Sequence, residues 1–210
     1  MERWIRQGRI PVQQSGKECI FKKSVLNKWA QSHNLTFTFF EQNSEKEKQT
    51  ELENLLPVMK RGGVINHLKG DTVEEVLKSA VDHLSFFSTG AKEALLVKLL
   101  EREKLTSTGI GRGIAIPHPR IPLADVVIHP VITTCFFERP IDFKAVDKRP
   151  VFVMFVLLSP SIQIHLHLLS KLSFCVRSNK FVDFLQTYPA SEQLFKKIAD
   201  FEKPPEIGDN

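Results

Sequence analysis

Apolar positions recur along this chain with two different periods. In "DTVEEVLKSAVDHLSFF", Val73, Val76, Leu77, Ala80 and Leu84 share one helical face, with Asp71 or Thr72 placed as the N-cap. "TGAKEALLVKLLEREKL" repeats that spacing and stops before "TSTGIG". Extended segments follow at 112–116, 126–137 and 150–158. The longest apolar run, "VFVMFVLLS" at 151–159, is far shorter than the about 20 residues of a membrane span and reads as a buried strand. Segments 162–176, 178–187 and 191–201 return to helical spacing. Helices, then strands, then helices predict an α/β fold, a mixed β-sheet flanked by helices on both faces.

The start of the chain follows another pattern. "MERWIRQGRIPV" reads as a helix ending at Gly8, and "IPVQQSGKECIF" as a two-stranded hairpin around "SGK". "KKSVLNKWAQSHN" sets Val25, Leu26 and Trp29 at helical spacing behind Ser24 as N-cap. "EQNSEKEKQTELE", residues 41–53, is polar and charged and free of aromatics; it suits a linker or a short solvated helix. We take it as a linker, giving three parts: a small segment at 1–40, the linker at 41–53 and the main domain at 54–205.

Composition adds two constraints. The 42% hydrophobic and 25% charged content is ordinary for a chain that buries a real core. Cys19, Cys135 and Cys175 are few, far apart and odd in number, which fits free thiols in a reducing, cytoplasmic setting. "MERWIRQGR" has no apolar stretch of the kind a secretory signal needs. The net charge of +5 is wholly concentrated in residues 1–40, where seven basic residues face Glu2 and Glu18. Such a basic end suits contact with a phosphate backbone.

The candidate chemistry lies in "STGIGRGIAIPHPR", where His118 stands between Pro117 and Pro119. Neutral imidazole is a nucleophile near pH 7, able to take a phosphoryl group on one ring nitrogen and release it. Transfer needs in-line access and positive groups around the phosphoryl oxygens. The glycines of "TGIGRG", Gly109 and Gly111 among them, are placed to offer N–H donors to an anion, at a spacing that matches neither a Walker loop nor a dinucleotide fingerprint. By composition alone, a structural histidine remains the commoner outcome.

"LLEREKLTSTGIGRGIAIPHPR" resembles the phosphorylation segment of the IIA domains of the phosphoenolpyruvate-dependent phosphotransferase system, in the fructose/mannitol class and its nitrogen-regulatory branch. "RPIDFKAVDKRPVFVMFVLLSP" resembles that family's central strands, and "IHLHLLSKLS" the helix bearing its second site histidine. The resemblance spans about residues 55–200 in order. It implies that His118 accepts the phosphoryl group, that Arg102 steadies the phosphate, and that His165 hydrogen-bonds the modified ring or its phosphate. His167 is expected to be structural. The family commonly follows its histidine with Gly-Lys; here Pro119 removes an N–H and Arg120 keeps the charge.

The implied activity is that of a phosphocarrier and regulator rather than an independent turnover enzyme. Its donor would be a histidine phosphocarrier protein, its other partners regulatory target proteins, with homo-oligomerisation left open and no cofactor. A three-histidine zinc site from His118, His165 and His167 is rejected, because residues two apart on a helix diverge by about 200°. His33, His67, His83 and His129 have no partners in sequence.

Residues 1–40 are similar to the later half of an excisionase or MerR-like winged helix. That resemblance implies DNA contacts from Arg3, Arg6, Arg9 and Lys17, around a small core of Ile5, Ile10, Phe21, Leu26 and Trp29. The helix preceding the turn would lie before Trp4, so either Met1 is internal to a longer natural chain or the segment is a relic used for protein contacts. The alternative function is therefore a DNA-binding transcriptional regulator with the IIA-like domain as its sensor.

Overall fold

The computed structural model describes residues 13–15, 18–20, 25, 28, 29, 32 and 52–203. The chain divides into two units, residues 1–50 and 51–210. In the first, strands β1 (Gln13–Ser15) and β2 (Glu18–Ile20) pair antiparallel, Gln14 opposite Cys19, as the hairpin pattern predicts. Arg3, Arg6, Arg9 and Lys17, and with them the DNA-contact expectation, lie outside the described residues.

The second unit runs α1 (Leu55–Gly62), β3 (Val64–Leu68), α2 (Val73–Asp82), α3 (Thr89–Leu105), β4 (Gly109–Gly111), β5 (Ile114–Ala115), β6 (Val131–Ile141), β7 (Val151–Leu158), α4 (Ile162–Arg177), α5 (Asn179–Leu185) and α6 (Ser191–Glu202). The sheet order is β3-β6-β7-β5-β4, with β3–β6 and β5–β7 parallel and β6–β7 and β4–β5 antiparallel. The sheet is mixed and carries helices on both faces, as the chain pattern implies.

Strand β7 shows why. All eight of its residues are buried. Val153, Phe155 and Leu157 pack with residues of α1, α4, α5 and α6, while Met154, Val156 and Leu158 pack with residues of α2 and α3. A strand covered on both sides reads as a continuous apolar run. Each such side chain contributes roughly 2 kcal/mol of burial.

Thr72 rather than Asp71 caps α2, its hydroxyl accepting from Glu75 N at 3.2 Å. Three elements escape the hydrophobic pattern: α1, β3 and β4, the last read from sequence only as glycine-rich backbone. Helix α1 sets Leu55, Val58 and Met59 at helical spacing but has only eight residues, and the edge strand β3 only five, so neither window is long enough to stand out. The second extended segment also shifts: residues 126–130 form no strand, and β6 instead continues through Pro140 to Ile141 beyond a register break at Phe136. Proline lacks the ladder N–H, which suits it to such an irregular strand end.

Gly62 lets α1 lie directly on β6. A Cβ there would stand 2.2 Å from Ile132 O and 2.7 Å from Thr133 N, both backbone atoms that cannot step aside. Gly62→Ala is therefore expected to lower unfolding free energy by about 2 kcal/mol, read as a lower urea midpoint at unchanged slope.

Candidate functional site

The site is built at the carboxyl ends of two parallel strands. Gly111, Arg112 and Gly113 form the β4–β5 turn with φ of 91°, 59° and 78°. Arg112 adopts that left-handed backbone without being glycine, and its contacts offset the cost. Its N–H donates to Asp147 Oδ2 at 2.7 Å. Its guanidinium donates to the Val176 and Arg177 carbonyls at the end of α4, each at 2.9 Å, and to Asn179 Oδ1. The turn and α4 are thus clamped together.

After β5, Ile116 N donates to Thr108 O at 3.0 Å and Leu157 N to Pro117 O at 2.9 Å. Those two bonds carry the chain past the end of β7 and deliver His118, half-buried between the buried Pro117 and Pro119. β7 leads through Ser159 into α4, whose N-cap Ser161 accepts from Ile164 N at 3.3 Å. His165 therefore sits in the first turn of α4, its N–H bonded to Ser161 O. The two imidazoles meet with centroids 4.8 Å apart and planes tilted by 49°.

Helix α3 brings the third group. Arg102 Nε donates to His118 Nε2 at 3.2 Å, and its Nη1 donates to Thr106 O at 2.8 Å. On the other side of the ring, Nδ1 lies 2.7 Å from Ile116 O. A carbonyl can only accept, so Nδ1 carries the hydrogen. Nε2 is left with its lone pair and faces the guanidinium. His118, Arg102 and His165, expected together from two separate stretches of sequence, do converge.

Burial holds the His118 imidazole below its ordinary value. The Ile116 carbonyl and the Glu103 charge work against that, while the Arg102 charge adds to it. Burial, with the His118 ring and the Arg102 charge, pushes His165 down to about 4. Both rings are accordingly neutral near pH 7, and His118 keeps its nucleophilic form.

Residues 58–200 match the family described as phosphoenolpyruvate-dependent sugar phosphotransferase system, EIIA 2. The chain belongs to that family. This EIIA domain is 35% identical over 112 residues to the nitrogen regulatory protein of Pseudomonas aeruginosa PAO1, covering 52% of this chain and 71% of that protein. It is 38% identical over 110 residues to the nitrogen regulatory protein of Escherichia coli K12, covering 51% and 66%. The crystal structure of nitrogen regulatory protein IIA-Ntr from Neisseria meningitidis superposes with a TM-score of 0.62 at 26% identity, covering 69% of this chain and 98% of that one.

The other expected site residues fall out differently. Arg120 is exposed and lines, with Lys98, Arg102, Leu105, Pro119 and Ile121, a groove of about 560 Å³ beside His118. Gly109 and Gly111, expected to offer N–H groups to an anion, lie in the tight β4–β5 hairpin. The Gly109 N–H is taken by Ser107 Oγ at 3.0 Å, and a Cβ on Gly111 would meet the Asp147 carboxylate at 3.2 Å. Their role in the EIIA domain is to shape the hairpin. His167 donates from its ring to Glu53 O at 3.1 Å, a structural bond. Among the described residues no cluster of three or more His, Cys, Asp or Glu side chains could hold a metal ion, and no helix is long and apolar enough to cross a membrane.

Sequence reasoning passed over Glu103, Thr108 and Arg112. Glu103 was visible as the partner of Arg102 in "LEREK", yet nothing in the sequence tied it to Thr108.

The lowered imidazoles make stability depend on pH. Between about 6.5 and about 4 the unfolded chain binds a proton at residue 165 that the folded one does not. The stabilisation is complete above that window and lost as pH falls through it, with His118 adding in the same direction. Urea midpoints should drop between pH 7 and pH 4.5, and His165→Gln should make the drop smaller; equal drops in the two proteins would contradict the assignment.

Proposed function

We propose that this chain is a phosphohistidine carrier and regulatory protein in which His118 Nε2 accepts the phosphoryl group. The observation that carries this reading is the pair of hydrogen bonds on one ring: Ile116 O holds the hydrogen on Nδ1, and Arg102 Nε points at the free Nε2. As the Nε2 lone pair forms the new P–N bond, the bond from phosphorus to the donor's nitrogen breaks and returns its electron pair to the donor. The ring gains positive charge while the phosphoryl oxygens stay negative. Arg102 then binds phosphate oxygens through its forked donors, and the His165 ring lies close enough to follow it.

The donor in this reading is a phosphohistidine carrier protein, and the regulated partners are proteins that distinguish the two charge states. The names of the relatives at 35% and 38% identity support the regulatory part of this reading. A cytoplasmic setting follows from the nature of that donor. Arg120, on the exposed rim of the groove, is the residue best placed to meet the donor.

A second reading is supported by one observation, the antiparallel β1–β2 hairpin, which is what the wing of a winged helix requires. In it the basic N-terminal segment contacts DNA, and phosphorylation of His118 tunes that contact. A gel-shift titration at about 50 mM salt tests it, and no retardation at that salt removes it.

Incubation with enzyme I, its carrier and phosphoenolpyruvate should yield one acid-labile, alkali-stable phosphate per chain, absent from His118→Ala. Arg102→Ala should slow labelling by about a hundredfold without changing the thermal midpoint. With phosphoramidate as a small donor, labelling relative to N-acetylhistidine should rise as pH falls from about 8 to about 6. The free imidazole protonates near 6.5 and loses its nucleophile, whereas burial keeps His118 neutral to lower pH than that.

A further inference from the structure

The hydrogen bonds around His118 form a path that starts and finishes on adjacent residues of α3. Arg102 donates directly to Nε2. The next residue, Glu103, reaches the opposite side of the ring by a longer route. Its carboxylate accepts from Thr108 Oγ1 at 2.5 Å and from Thr108 N at 3.0 and 3.1 Å. Thr108 O accepts from Ile116 N at 3.0 Å, and Ile116 O lies 2.7 Å from His118 Nδ1. We propose that Glu103 is a positioning residue that, through Thr108 and Ile116, holds the carbonyl that fixes the Nδ1–H tautomer and orientation of His118.

Three features of the structure give this path its leverage. Both donors of Thr108 end on one carboxylate, and Thr108 itself is only 4% exposed, so water has little access to replace that anchor. The segment that carries His118 is short of donors of its own: Pro117 and Pro119 have no N–H, which leaves the Ile116 N–H as the tie to the 106–108 loop. That loop follows directly on the end of α3, where Thr106 has left the helix with extended backbone. A loop displaced by the loss of Glu103 would carry Thr108 O away from Ile116 and free the Ile116 carbonyl to turn. The path works by position, since each peptide unit along it is a separate one. The Glu103 charge also favours the positive charge that the ring acquires during transfer.

A purely structural capping role for Glu103 would leave the ring's protonation pattern untouched, so the ring nitrogens are the readout. In the full chain with ¹⁵N-labelled histidine, His118 should show one protonated and one unprotonated nitrogen at pH 7.5, with the hydrogen on Nδ1. Glu103→Ala should bring the two resonances toward each other as the tautomers mix, and should slow phosphoramidate labelling by about tenfold to a hundredfold. Glu103→Gln, which keeps an acceptor oxygen, should recover most of the wild-type pattern. A folded Glu103→Ala whose His118 resonances match the wild type overturns the proposal. If that variant does not fold, Thr108→Val and Glu103→Gln decide: unchanged resonances in both overturn it, and mixing in Thr108→Val supports it. The rate rests on His118 being the phosphoryl acceptor, whereas the tautomer does not. Failure of wild-type labelling would therefore sink that function and leave the positioning role to be judged by the spectra alone.

Discussion

One hydrogen bond, from His118 Nδ1 to the Ile116 carbonyl two residues earlier, organises the chemistry of this protein. It decides which ring nitrogen carries hydrogen, and therefore which one faces Arg102 with a lone pair. Much of the main domain bears on keeping that carbonyl in place. Strand β5 is only two residues long and lies between β4 and β7, so the chain leaves the sheet immediately before Ile116. Backbone bonds to Thr108 and Leu157 then hold it from both sides. A side chain presented on such a rigid exit loses little conformational freedom when a partner docks.

The electrostatics of the site follow from its position between core and solvent. Two imidazoles and a guanidinium within hydrogen-bond or ring-contact distance would repel one another strongly if all were charged. Half-burial settles this by keeping both rings neutral and leaving Arg102 as the cation beside them. In the function proposed above, a phosphoryl group on Nε2 would reverse the balance, because its negative oxygens favour the cationic form of His165 and attract Arg102. In that reading the empty site is a weak base, and the loaded one is well supplied with positive partners.

The fold was legible where burial follows a period. Strand β7 and helices α2 to α6 could be read from their apolar residues, because one face or both faces of each element is covered. Helix α1 and strand β3 were not, since each is too short for its apolar spacing to stand out, and the close approach of α1 to β6 at Gly62 is evident only from the partner strand. In the site, His118, Arg102 and His165 could be picked out through resemblance to known IIA domains, while composition alone left His118 an ordinary histidine. Gly109 and Gly111 show what the sequence left out. Glycines in a row suggest N–H groups open to an anion, but here one N–H is already bonded and an aspartate sits beside the other glycine.

By itself the sequence determined the layered α/β architecture, the concentration of charge in the first forty residues, and the pinning of His118 between two prolines. These are local properties, set by side-chain type and spacing along the chain. The tautomer of His118, the contact between its ring and His165, and the clamp from Arg112 onto α4 were decided only by the tertiary structure. The ring contact and the clamp join atoms far apart in sequence, and the tautomer, though set by a carbonyl two residues away, depends on Thr108 and Leu157 holding that stretch of backbone in place. Hydrogen-bond direction and desolvation act over a few ångströms, and no spacing along the chain encodes distances of that kind.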